Sequence, residues 1–541
     1  MANTYDAIVV GGGHNGLVAA AYLAKAGART VVLEAREKTG GATDTSTPFP
    51  DHPDVKVTTL SYVMSLMPPT IIRDLRMKEL GYEVYPYDGV YAPQPGGGGI
   101  RFSDGKEGSQ YEAYARYSKR DAEALEPYGE WLQRSADILG PMLMQIPPQV
   151  GSTQLGDLVD QVRFILRFRK GMNARQAADI TKLFTMSAAD LLDEWFESDE
   201  VKGLMSCDGI IGTWAGPEEP GTAYVLMHHC VGDVGDGQLS SWGFPKGGMG
   251  GVPEILQRSA ESFGAEIRCN TPVERMLVEN GKVRGVVSTS GEEFRATTVV
   301  TAVHPKIAFL KHLDARDLPH DFVRDIENWK TRSGTVKINV GLERMPAWRD
   351  DPDGNDPDIA GASIQIAPGV RYLERAFEEA REGRGSTAAF SESSIPSYYD
   401  RTLAPEGMHV MSMFTQWVPH TWADEPDAAG LEAYADRVID AHEEFMPGLK
   451  DAMIGRQVLG PHEMQEGWGL IGGNIFHGEL APNQLFHMRT APGFADFRTP
   501  IKGLYQASSA THGGGGVTGI PGYQVVRQIV KDRGLTKSGR S

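Results

Sequence analysis

The chain has 541 residues, 40% of them hydrophobic and 23% charged, and a formal net charge of −18. That length exceeds a single hydrophobic core and implies two or three domains, and the acidic balance argues against a general nucleic-acid binder or a wholly basic membrane-facing surface. Cys207, Cys230 and Cys269 are scattered and form no C-x-x-C pair, which excludes a local dithiol centre and a cysteine-rich zinc site.

The first strand starts by about Tyr5, and Tyr5 to Val10 runs straight into Gly11-Gly12-Gly13-His14-Asn15-Gly16. Gly11 permits a tight turn, Gly13 lets backbone approach a pyrophosphate, and Gly16 lets the following helix pack on the strand. That helix points free N–H groups and the positive end of its dipole at the phosphates. A second strand, Val31 to Leu33, ends at Glu34, 18 residues past Gly16, where an acid can accept hydrogen bonds from a ribose 2′-OH. Strand, glycine turn, helix, strand and acid in one unit predict dinucleotide binding.

From Ser61 to Gly81 the pattern changes to an amphipathic helix through Ile71, Ile72, Leu75 and Leu80. Residues 110–230 read as mostly helical, broken at Pro147-Pro148. Sheet character returns near Ser241, and strands around Ile267, Val273, Val286 and Val299, punctuated by Gly264 and Gly281, suggest a three-stranded crossover. Residues 306–480 are mixed, with an acidic surface loop at 350–358, and the strand Gly503 to Ala507 precedes another glycine-rich turn and a helix. Gly514 to Gly519 is also a literal G-x-G-x-x-G, but only 22 residues follow it, too few for a second strand and acid. It reads as a turn facing a cofactor ring. The tail Lys537 to Ser541 reads as frayed.

Four stretches carry a family resemblance. Glu34 to Gly41 resembles the extension found in flavoproteins of the glutathione-reductase-like superfamily, in the amine oxidase and phytoene desaturase branch. Phe244 to Gly251 with Val299 to Pro305 looks like the middle of phytoene desaturases, and Gly503 to Gly519 is similar to their flavin-contacting C-terminal motif. Trp468 to Glu479, with Tyr62 to Leu66, resembles the branch called pyridine nucleotide-disulfide oxidoreductase domain-containing proteins, although no disulfide motif is present. Gly513 departs from the proline common in the family at that position. The resemblance implies FAD, held by Gly11, Gly13, Gly16, Glu34, Gly40, Gly41, Val273 (through its backbone, at the adenine), Gly515, Gly516 and Gly519. It also implies an α/β fold, in which a Rossmann-like FAD-binding domain of glutathione-reductase type (1–60, 240–305 and 481–541) interleaves with a mixed α+β substrate domain (61–239 and 306–480).

His512, in the flavin motif, and His477 are the catalytic candidates, the first weighed against a structural hydrogen bond to nearby backbone and the second against an interdomain polar contact. Arg489 is a candidate for fixing a carboxylate or flavin oxygen, with a surface ion pair the favoured reading. His228-His229 are adjacent, so their side chains point apart and no metal site is expected. Ser240-Ser241 lack a nucleophile elbow. Val162 to Lys170 is a basic, apolar island that docks on anionic lipid or, the favoured reading, is a substrate-domain helix with snorkelling arginines. Met142, Leu143, Met144 and Ile146 line an apolar tunnel or pack in a core.

With no apolar run of ~18 residues, the expected protein is cytoplasmic and soluble or peripherally attached. It is read as an FAD-dependent oxidoreductase that desaturates or isomerises an isoprenoid or lipid-like substrate by hydride transfer to flavin N5. No separate NAD(P)H-binding domain is visible, so oxygen or a quinone is the expected acceptor. The alternatives are an amine or amino-acid oxidase and a non-catalytic flavin scaffold.

Overall fold

The computed structural model describes residues 3–87, 89–103, 106–169, 172–232, 241–353 and 356–533. Ser240, Lys170 and the tail Lys537 to Ser541 lie outside the described residues. Ala7–Val10 and Thr30–Leu33 are short runs rich in β-branched residues and buried at every position, the pattern of parallel strands covered on both faces. They sit at the centre of a five-stranded parallel sheet in the order Glu266–Arg268, Thr30–Leu33, Ala7–Val10, Thr298–Thr301, Leu504–Gln506. Strands from the start, middle and end of the chain therefore build one nucleotide-type sheet. The helix His14–Lys25 packs between Gly251–Ser262 and Ile520–Arg533. The approach is close: a Cβ on Gly522 would lie 2.2 Å from the Asn15 carbonyl oxygen.

The expected crossover of three strands has four. Val273–Glu279, Lys282–Ser288 and Glu293–Arg295 form an antiparallel meander, and Asn3–Thr4 adds to its free edge in parallel. Thr298–Thr301 belongs instead to the nucleotide sheet, because its four buried residues need cover on both faces.

A seven-stranded sheet forms the second layer, in the order Met453–Leu459, Thr335–Leu342, His409–Gln416, Phe390–Ser394, Ser363–Ile366, Val90–Pro93, Gly99–Phe102. Val336, Ile338, Val340, Met411 and Met413 pack with the helix Ala428–Glu443 on one face. The two-residue period of a strand then turns Lys337 and Phe414 to the opposite face, toward the nucleotide domain. Helices between Ser109 and Cys230 form a lobe around Tyr114, Tyr128, Trp131 and Phe196. The longest, Lys119–Leu143, is capped by the Ser118 hydroxyl accepting from the Asp121 N–H and ends before Pro147-Pro148. Among the described residues, no helix is long and apolar enough to cross a membrane.

Candidate active site

A cavity of about 990 Å³ lies between the carboxyl ends of the nucleotide-sheet strands and the inner face of the seven-stranded sheet. Its two ends are built differently. At the nucleotide end the wall is mostly backbone. Gly11 has φ 99° and its N–H donates to the Leu33 carbonyl at 2.9 Å. A Cβ on Gly16 would stand 2.0 Å from the Gly11 carbonyl oxygen, so helix and turn meet only without a side chain there. Gly13 differs: the nearest atom to its would-be Cβ is 3.9 Å away, and it faces open cavity. Gly40 (φ 131°) donates its N–H to the Gly12 carbonyl at 2.9 Å, and Gly41 (φ 59°) continues the wall. Glu34 is buried and accepts from the N–H groups of Gly12 (2.7 Å) and Arg36 (2.9 Å). Val273 lines the same end.

Eight buried polar atoms on the cavity wall have no hydrogen-bond partner among the described residues, among them His14 Nε2, Asn15 Oδ1, His304 Nε2 and His477 Nδ1. Burial pushes His14 down to about 4 and His477 to about 3, so both are neutral near pH 7. Unpaired buried polar atoms cost free energy. Such a set around one cavity, with Gly13 facing open space beside it, fits a large polar ligand such as a dinucleotide.

The C-terminal glycines divide. Gly516 and Val517 line the cavity. Gly515 stands behind the wall, its carbonyl accepting from His228 Nε2 at 2.8 Å, and Gly519 packs against Val18, Ile71 and Met67. His512 does not line the main cavity either. Its Nε2 donates to the Met142 carbonyl at 2.9 Å, and its ring borders a separate apolar pocket with Met142, Leu143, Tyr224 and Phe486. Met142 and Leu143 thus line an apolar space, though a small one. His229 Nδ1 meets the carbonyls of Val225 and Asp208. Among the described residues, no group of three metal-type side chains converges.

The favoured surface ion pair for Arg489 is wrong. The residue is 2% exposed and donates to four carbonyls, of Phe476 (3.0 Å), Ser509 (2.9 Å), Thr511 (3.2 Å) and Gln484 (3.3 Å). Burial lowers its pKa to about 10, still charged near pH 7. It is a peg tying the loop that carries His477 to the loop that carries His512.

At the other end the cavity is lined by side chains. Lys337, Phe414, Glu392 and Gln365 stand directly opposite one another across four adjacent strands, so all four share the inner face. Tyr62 stacks on Phe414 (centroids 5.6 Å apart, 23°) and donates its hydroxyl to Glu392 Oε2 at 2.7 Å. Lys337 is 1% exposed and donates to the Ser412 hydroxyl at 2.7 Å and to Asn339 Oδ1. Burial holds its pKa well below that of an ordinary lysine. Burial raises Glu392 against the hydrogen bonds from Tyr62 and Ser363. Burial, then the Glu392 charge, pushes Asp208 up to about 7. Between these polar groups the wall is apolar, with Leu125, Leu132, Leu204, Met205, Ile211 and Tyr128. Sequence reasoning found none of Lys337, Glu392 and Asp208. The one available signal was a lysine and an asparagine at alternate positions of the otherwise apolar strand Thr335–Leu342.

Residues 189–522 match the family described as flavin containing amine oxidoreductase, and residues 9–73 match an NAD(P)-binding Rossmann-like domain. The chain belongs to the flavin-containing amine oxidoreductase family. As a member it is an FAD-dependent oxidoreductase, and FAD is the dinucleotide that the glycine turn, Glu34 and the unpaired polar atoms fit. Among its relatives, pyridine nucleotide-disulfide oxidoreductase domain-containing protein 2 of Rattus norvegicus is 35% identical over 98% of this chain and 94% of its own length. A limonene dehydrogenase polypeptide of Castellaniella defragrans is 26% identical over 98% of this chain and 95% of its own. A triple mutant of putrescine oxidase has the same fold, with a TM-score of 0.62 and 16% identity over 98% of both chains.

Proposed function

We propose that this flavoprotein dehydrogenates an apolar, isoprenoid or lipid-like substrate, leaving a C=C bond or an oxidised carbon, within the pyridine nucleotide-disulfide oxidoreductase domain-containing branch of its family. The observation that carries the reading is the aliphatic and aromatic wall of the inner cavity, from Leu125 and Leu132 to Met205, Ile211 and Phe414. Such a wall binds by excluding water and supplies few polar contacts. A relative named for the dehydrogenation of limonene, a hydrocarbon, supports it.

FAD, when bound, supplies a hydride acceptor. The chain's own residues do the rest. The apolar wall presses a C–H bond into place and keeps water out. Glu392 and Asp208, two buried carboxyls both raised by burial and the second also by the charge of the first, take the proton that leaves the substrate as the double bond forms. Tyr62 holds the Glu392 carboxylate in place. The electrons then pass to oxygen or a quinone. Isomerisation of a double bond is the redox-neutral variant of the same binding mode.

Amine oxidation is the second reading, favoured by the same two carboxyls, which would attract an ammonium group. An anaerobic titration of the FAD-loaded protein separates the two, followed by the flavin band near about 450 nm. Bleaching by terpenes or acyl lipids is expected. Bleaching by amines alone would sink the proposal.

A further inference from the structure

Of the nine large hydrophobic side chains exposed among the described residues, six lie on the single helix Leu155–Arg169. Leu155, Leu158, Val159, Val162, Ile165 and Leu166 recur at the spacing of one helix face and are 41–79% exposed. In a globular protein that face turns to the core. Here it turns to solvent, and the opposite face is tied down. Asp160 pairs with Lys531 of the C-terminal helix at 2.8 Å, Gln161 Nε2 donates to the Gln149 carbonyl at 2.6 Å, and the Phe164 ring packs on Phe486 at 5.3 Å. The orientation is therefore set by specific contacts on the inner side.

Arg163 and Arg167, both exposed, lie along one side of the stripe, Arg163 also pairing with Asp160 at 3.4 Å, in a chain whose net charge is −18. The helix thus presents apolar side chains and positive charge to the outside where the rest of the protein is acidic. We propose that this helix lies in the surface of an anionic lipid bilayer, its six apolar side chains among the acyl chains and its arginines at the headgroups. The size of the face favours lipid over a second copy of the chain. Fifteen residues span about 22 Å and present one helix width, well short of the roughly 800 Å² that each partner gives to a stable protein interface. A bilayer needs no matching surface, and an interfacial helix of this length suffices. Salt confines the repulsion of more distant acidic residues to about a Debye length of 8 Å.

The inner face of the helix leads on to a second apolar space. Phe486, beneath Phe164, stacks edge-on against His512 at 5.3 Å and borders the small apolar pocket with Met142, Tyr224 and His228. That pocket would lie on the bilayer side of the active site. The docking itself does not depend on which substrate the cavity takes.

The test uses the full-length, FAD-loaded protein in co-sedimentation with vesicles of phosphatidylcholine, with and without phosphatidylglycerol. Wild-type protein is expected to sediment with the anionic vesicles and to lose several-fold in binding at high salt. The double variant Leu158→Asp with Ile165→Asp alters only exposed positions, so it should keep its flavin spectrum and melting temperature yet bind at least roughly tenfold more weakly. Arg163→Glu with Arg167→Glu should cut binding several-fold. Absence of sedimentation with either vesicle overturns the proposal, as does undiminished binding by the double aspartate variant. Equal binding to both vesicle types overturns the anionic surface. A lipid-free dimer that dissociates in the double aspartate variant, seen by analytical ultracentrifugation, would assign the face to a second copy instead.

Discussion

The two ends of the cavity are built by different means. The nucleotide end is made of backbone, the turn from Gly11 to Gly16 and the pair Gly40-Gly41, with a single acid at its tip. The substrate end is made of side chains from four distant places, Tyr62, Asp208, Lys337 and Glu392, brought together by strand register and a helix of the neighbouring lobe. A site built from backbone needs residues without side chains at fixed spacing, and so marks the sequence locally. A site built from side chains needs only that each be present somewhere, and leaves almost no local mark.

The sharpest way to break this comparison lies at the nucleotide end. Gly16→Val places a side chain 2.0 Å from the Gly11 oxygen and should cost about 3 kcal/mol or more; soluble, flavin-bearing protein should be lost, as absorbance of the purified fraction will report. At the substrate end, Glu392→Gln should retain FAD but slow anaerobic flavin reduction by about 100-fold.

The pH profile sharpens the same point. Ionised carboxylate is the proton-accepting form, so reduction should quicken as pH rises through about 7, the value to which burial and Glu392 push Asp208. Removing the Glu392 charge lowers the Asp208 pKa, and the residual activity of Glu392→Gln should rise at lower pH. A profile that stays in place would disconnect the two carboxyls.

A smaller effect is expected from Gly13→Ala. Its backbone (φ −68°) accepts alanine and nothing in the chain obstructs the Cβ. The variant should melt like wild type and bind FAD roughly tenfold more weakly, measured by flavin fluorescence titration. If it binds FAD normally, the cofactor does not approach Gly13. Smallest of all is His512→Ala, which faces the second pocket; flavin reduction should stay within a few-fold of wild type. A loss comparable with that of Glu392→Gln would put His512 back in the chemistry.

Much of the fold was legible. The buried runs Ala7–Val10 and Thr30–Leu33 around a glycine turn give parallel strands by local rules, and the helix Lys119–Leu143 ends just before the proline pair at 147–148. Elsewhere local rules were silent about partners. Nothing in Asn3-Thr4 shows that it completes a four-stranded sheet, since an edge strand is defined by what it pairs with. Arg489 reads like any surface cation, because the four carbonyls it meets, 5 to 22 residues away on either side, are not marked in the chain beside it. The outward helix is the clearest case. Its apolar period is plain in residues 155–166, but periodicity defines a stripe and leaves open whether the stripe meets core or solvent.

The sequence alone determined the dinucleotide cradle, the alternation of sheet and helix, and the glycine turn between them. Each depends on backbone conformation or on neighbours within a few turns. The tertiary structure alone decided which face of Thr335–Leu342 meets the cavity, which carboxyls share it, and which way the helix Leu155–Arg169 turns. Those depend on contacts between residues hundreds of positions apart, where burial and register choose among arrangements that local chemistry leaves equal.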